Sequence, residues 1–147
     1  MFVNPLLTYL EKNMEILVFV AGFAVSAFTA FSFYKAGAFK LKSTKEQMLQ
    51  AGFGWLEKQS VAVAKLIGLL EVLGAVGLIL APIGYLAGLD WAIFLAIAAG
   101  VGLALTMVGA IWVHGARGET KYTIKMTGSL LGFSSLSAGL WALPLFI

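Results

Sequence analysis

Cysteine is absent from the 147-residue chain. That excludes disulfides, thiol–disulfide exchange and iron–sulfur ligation by the chain alone. Histidine occurs once, at His114, so neither a multi-histidine metal site nor a bis-histidine haem can form within one protomer. No metal and no haem are expected. Charge is scarce as well. Asp, Glu, Lys and Arg make up 12% of residues, against about a quarter in soluble domains, and 61% are hydrophobic. One small core cannot bury that excess, so lipid is the expected solvent. The net charge of +3 then reports which loops stay in the cytoplasm rather than nucleic-acid binding.

What is present is a series of long apolar runs. A helix needs about 20 residues to cross the hydrocarbon core. The runs place spans at about 15–34, 61–80, 91–113 and 123–145 within a single membrane domain, 1–147. The first is preceded by Glu11, Lys12 and Glu15. It therefore lacks the positive flank of a signal peptide and is expected to be retained. Asn4-Pro5 suggests a turn before it. Pro82 and Gly84 are expected to stop the second span, and Asp90 to cap the third. The expected fold class is an all-α membrane protein: a four-transmembrane-helix bundle with a short amphipathic helix in the first loop.

That loop, from Lys35 to Ser60, carries five lysines against Glu46 and Glu57. Ser43 or Thr44 can cap a helix over Thr44–Leu49, with Glu46 or Gln47 in its first turn. AGFGWLEKQS follows, and Phe53 and Trp55 suit a segment lying on the membrane. A solvated loop is the plainer alternative. Tyr34, Trp55, Tyr85, Trp91, Trp112 and Tyr122 fall near the expected interfaces. The first and third loops share one side and hold most of the basic residues, so the charge rule places both termini outside. The expected location is integral to a bacterial cytoplasmic membrane.

One charged residue falls near the middle of a span. Glu71 lies in VAVAKLIGLLEVLGAVGLILAP, Val61 to Pro82. A lone charge at mid-helix costs roughly 2.5–3.5 kcal/mol on translocon scales. Its helical neighbours are Ala64, Ile67, Gly68, Gly74, Ala75 and Leu78, a mostly small stripe that suits helix packing. Gly68, Gly74 and Ala75 are its candidate packing residues. Lys65 stands about 9 Å away along the axis and roughly 120° around, so an ion pair with Glu71 is not expected. Counting depth from the loop side, Ser26, Thr106, Ser134 and Ser135 can offer hydroxyls near the level of Glu71. Lys65, His114, Arg117 and Trp112 are expected to form a cationic mouth above it. Glu71, Lys65, His114, Arg117, Thr106 and Trp112 are thus the candidate ligand-binding residues. The plainer reading is a hydrogen-bonded carboxyl that fixes packing, with cations placed to suit a helix C-terminus.

The segment LIGLLEVLGAVGLILAPIG resembles the DoxX-like family of small four-span membrane proteins. The resemblance rests on Lys65, Ile67-Gly68, Leu70-Glu71, Gly74, Gly77 and Pro82. GFGWLEKQ before it and MVGAIWVHGARGE on the third span are similar too. The resemblance implies a four-helix bundle with the first loop folded onto the membrane. It also implies association with membrane oxidoreductases, with little assigned activity.

Three functions follow as expectations. The first is an integral-membrane accessory or scaffold subunit that binds a quinone or lipid near the buried glutamate and associates with a membrane oxidoreductase. The second is a proton-coupled small-molecule transporter using the same acid. The third is a lipid- or quinone-directed enzyme, weakened by the distance from Glu71 to His114. Expected partners are the bilayer and a membrane protein or a second copy, with no nucleic acid.

Overall fold

The computed structural model describes residues 5–146. Its long helices are α1 (Pro5–Lys42), α3 (Val61–Leu86), α4 (Trp91–Ala116) and α5 (Thr120–Ala142). The short α2 (Lys45–Gln50) and a single 3-10 turn at Gly54–Leu56 lie between α1 and α3. Among the described residues four helices are long and apolar enough to cross a membrane. They close into a ring in which α1 packs on α3 and α5, and α4 packs on the same two.

The surface is inverted relative to a water-soluble protein. Phe31, Leu66, Leu73 and Leu105 face outward, and Trp112 is 79% exposed. Ser26, Thr29, Glu71, Thr127, Ser134 and Ser137 are buried. Water would penalise that apolar perimeter, whereas lipid matches it. Inside lipid the helices gain little from hydrophobic burial against each other. Close packing and interhelical hydrogen bonds hold them instead. Phe33, Leu78, Leu103 and Met107 fill the centre with Ala30 and Ala75. Gly74 and Gly100 let Leu103 and the α5 backbone approach.

Element ends differ from the sequence expectation where a charge or a proline suggested a stop. α1 is 38 residues long, about 57 Å at the helical rise, well beyond the roughly 30 Å hydrocarbon core. It runs through Lys35, because Ala36-Gly37-Ala38 continues without a breaker and packs on α3. The turn expected at Asn4-Pro5 begins outside the described residues, and the described helix starts at Pro5 itself. Pro82 lies inside α3 rather than ending it, since neighbouring helices accommodate a membrane proline. The stop falls at Gly88, whose φ of +75° permits the left-handed cap. Leu89 N–H donates to Gly84 O at 3.0 Å and Gly88 N–H to Tyr85 O at 3.0 Å, a paired C-terminal closure. Asp90 precedes α4 but makes no side-chain cap.

In the first loop, Thr44 and Gln47 form a reciprocal capping box that opens α2. In the GFGWL that follows, only Gly54–Leu56 is helical, a single 3-10 turn rather than part of a longer surface helix. Its Leu56 packs with Met48 and Ala64, with Phe53 and Trp55 alongside. Lys45 Nζ holds the turn by donating to Glu57 O at 3.1 Å and Gln59 O at 2.8 Å. The loop is thereby folded back against the bundle.

Candidate functional site

The closest approach of α1 and α3 is set by two glycines. A Cβ added to Gly37 would lie 2.6 Å from Gly68 O, and one added to Gly68 would lie 2.9 Å from Gly37 O. No larger residue fits either position without moving a backbone. Each glycine also faces the other helix's charged residue. The Gly37 position is 3.1 Å from Glu71 Cβ, and the Gly68 position is 2.8 Å from Lys40 Cβ. Lys40 stands three residues beyond Gly37 and Glu71 three beyond Gly68, so each charge shares its glycine's helical face.

The outcome is a buried ion pair across the helix crossing. Lys40 Nζ donates to Glu71 Oε1 at 2.8 Å and to Oε2 at 2.6 Å. Glu71 is 1% exposed and Lys40 7%. Phe53 from the first loop lies over the ammonium, with Nζ 5.6 Å from the ring centroid. That ring stacks on Phe39 at 5.8 Å. One lysine therefore ties together α1, α3 and the first loop. A pair so enclosed is not strong evidence for net stability, but losing one member strands the other charge.

Lys65 does not reach Glu71. Its Nζ donates to Leu41 O and to Ser43 O, the latter at 2.9 Å. These carbonyls close α1, whose last turn lacks intrahelical donors. His114 and Arg117 converge on a residue that sequence reasoning left aside, Glu119. His114 Nδ1 and Glu119 Oε2 are 2.7 Å apart, and Arg117 Nε donates to Oε1 at 2.6 Å. The C-terminus of α4 explains the geometry. Gly118 has φ +71°, and Glu119 N–H donates to His114 O at 2.9 Å, which turns the carboxylate back onto the ring. Hydrogen bonds from His114 and then Arg117 hold the Glu119 carboxyl below its ordinary value of 4.5. The Arg117 guanidinium also lies beside Gly54, so the first and third loops meet on one side.

The remaining candidates are dispersed. Thr106 Oγ1 donates to Leu103 O at 2.7 Å within its own helix. Trp112 points away from the bundle. The hydroxyls expected beside Glu71 serve elsewhere. Ser26 Oγ shares a 2.8 Å hydrogen bond with Ser137 Oγ and accepts from Trp141 Nε1 at 2.9 Å. Ser134 bonds back to Leu130 O. Gly68 sits at the α1 crossing, Gly74 against Leu103, and Ala75 is buried in the central cluster.

Lys40 is the residue that sequence reasoning missed as a partner. It was placed in a loop because Lys35 ended the uncharged run. The available signal was the matching Gly37–Lys40 and Gly68–Glu71 spacing on two consecutive long helices. Among the described residues no group of three or more His, Asp or Glu side chains could hold a metal ion. No buried side-chain polar atom among them lacks a partner.

Four apolar helices, with lipid-facing sides and an ion pair closed between two of them, define an integral membrane protein of the small helical-bundle class. The family model described as the DoxX-like family matches residues 24–137. That match includes Lys40, Glu71 and the His114–Glu119 cluster, and the chain belongs to this family. No curated protein and no solved structure matches it.

Proposed function

We propose that the chain is an integral-membrane accessory or scaffold subunit, associated with a membrane oxidoreductase, in which the Lys40–Glu71 pair sets the helix arrangement. The observation that carries this reading is the engagement of both Glu71 oxygens by one lysine. An acid so held is suited to fixing a shape rather than turning over a substrate. The single histidine is likewise engaged, with Glu119. The outward apolar helix faces then supply surface for lipid and for a membrane partner. The oxidoreductase association rests on the family resemblance. The charge distribution favours both termini outside, with the Lys- and Arg-bearing loops in the cytoplasm.

A specific observation favours a quinone or lipid ligand on the same scaffold. An apolar groove of about 340 Å³ opens between α1 and α3, lined by Ala27, Ala30, Phe31, Ala75 and Ile79 among others. Ala75 is one helical turn from Glu71. The groove suits an isoprenoid or acyl tail. Proton-coupled transport receives less support, because neither this groove nor the pocket at the far end of the bundle is lined by Glu71.

Native mass spectrometry of gently extracted protein tests the reading. The expected spectrum contains a membrane-protein partner, with a quinone or lipid that is lost in a folded Ala27→Phe variant whose ring fills the groove. A monodisperse species carrying neither partner nor ligand would overturn it. Glu71-dependent export driven by a pH gradient would favour transport instead.

A further inference from the structure

The end of the bundle opposite the basic loops holds a second cavity. It measures about 170 Å³ and is lined by Glu15, Phe19, Tyr85, Ile93, Trp141 and Pro144 among others. Its three rings form one cluster. Phe19 stacks on Tyr85 at 5.6 Å, and Trp141 meets both edge-on at 5.8 Å. The Trp141 N–H is fixed on Ser26, so the indole is held in place before any ligand arrives. Glu15 is exposed, and no hydrogen bond or ion pair engages its carboxylate among the described residues. Its surroundings are acidic too. Glu11, Glu15 and Asp90 belong to this end, with Lys12 as the lone base among the described residues there.

We propose that this pocket binds a small organic cation of the alkylammonium class, with Glu15 supplying the counter-charge and the Phe19, Tyr85 and Trp141 rings the apolar wall. Aromatic rings attract a cation through their negative faces, and weakly hydrated ammonium groups pair this attraction with a nearby carboxylate. The size fits, since a cavity of about 150 Å³ accommodates a molecule as large as benzene. Two sources carry the chemistry: the headgroup of a choline or ethanolamine lipid, and a free amine. Most of this pocket, including Glu15, Phe19, Trp141 and Pro144, lies outside the residues that match the family.

The test titrates tetramethylammonium chloride against protein in maltoside detergent, with ionic strength held constant by sodium chloride. Wild type should give a saturable rise in Tm and a shift of the Trp141 indole resonance. Glu15→Gln should bind about tenfold more weakly, and Glu15→Asp should retain most of the affinity. Phe19→Leu should lose about fivefold. Among the described residues Glu15 makes no hydrogen bond or ion pair, so Glu15→Gln should keep the ligand-free Tm. If it does not, the indole shift in wild type remains the deciding reading. Repeating the titration in nanodiscs separates the sources. Weaker binding in phosphatidylcholine than in an uncharged glycolipid, both of zero net charge, identifies the lipid headgroup as occupant, and equal binding identifies a free amine. No saturable response in wild type, or an equal response in Glu15→Gln, overturns the proposal.

Discussion

The two ends of this bundle treat charge in opposite ways. At the end bearing the first and third loops, the principal charged groups are matched: Lys40 with Glu71, Lys65 with the carbonyls that close α1, and His114 and Arg117 with Glu119. At the other end Glu15 has no hydrogen-bond or ion-pair partner among the described residues and lies beside a cluster of rings. The first arrangement spends its charges on joining helices and loops. The second leaves Glu15 exposed at the edge of a cavity. In a chain with so few charged residues, that contrast separates the end with buried ion pairing from the end proposed to take a ligand.

The contrast breaks most severely at Lys40. Replacing it with methionine strands Glu71 in a lipid-enclosed site, and a loss of about 3–5 kcal/mol in unfolding free energy is expected. Equilibrium unfolding in mixed detergent micelles would measure it. The first loop should also loosen, because Phe53 loses the cation it covers. Faster backbone hydrogen exchange over residues 44–58 would report that loosening.

The glycine crossing comes next. Gly68→Ala forces a methyl to within 2.8 Å of Lys40 Cβ and 2.9 Å of Gly37 O, a crowding expected to cost about 1–3 kcal/mol. Gly102→Ala meets nothing within 4 Å and should be neutral or slightly stabilising through helix propensity. Equal effects at the two positions would remove the argument that α1 and α3 approach closely only because of Gly37 and Gly68.

At the opposite end the interhelical tie is a hydroxyl network, and its expected effect is smaller. Ser26→Ala removes the acceptor of the Trp141 N–H and the partner of Ser137. About 0.6 kcal/mol is expected, with an upper bound near 1.7 kcal/mol. A loss as large as that for Lys40→Met would mean the two ends are held equally tightly.

The smallest effect is an acid-dependent one in the third loop. Glu119 is held below the ordinary carboxylate value of 4.5, first by His114 and then by Arg117. A depressed folded-state value stabilises above the ordinary value, and that contribution is lost as pH falls through the lowered one. The carboxyl resonance of Glu119 should therefore titrate with a midpoint below 4.5. His114→Ala should raise that midpoint more than Arg117→Ala does. A midpoint unmoved by either substitution would detach Glu119 from the cluster.

Much of this architecture was legible in the sequence, and the failures have physical causes. Four apolar runs disclosed four helices because a bilayer imposes a minimum length on any span. The cap of α2 was legible as Ser43 or Thr44 with Glu46 or Gln47, because capping acts locally, and the structure narrows it to Thr44 and Gln47. Lys40 was not, because a charge count treats a lysine after an apolar run as a loop residue. A helix does not stop at a charge when a neighbouring helix supplies the opposite one. Pro82 misled for a related reason: in a packed membrane helix the missing N–H is tolerated, and Gly88 made the stop. Depth along an axis suggested that Ser26 and Thr106 could face Glu71. Depth does not specify rotation, and those hydroxyls point to Trp141 and Ser137, and to Leu103. Glu119 went unread because the backbone closure at Gly118 folds it onto residues two and five positions earlier.

The central claim is that Lys40 and Glu71 act as one unit that locks α1 to α3. A double-mutant cycle tests it most directly, using Lys40→Met, Glu71→Met and the double variant, with unfolding free energy read in the same micelles. The account predicts that the double variant is more stable than the Lys40→Met protein, with a coupling energy of about 2 kcal/mol or more. Additive losses, with coupling near zero, would contradict it.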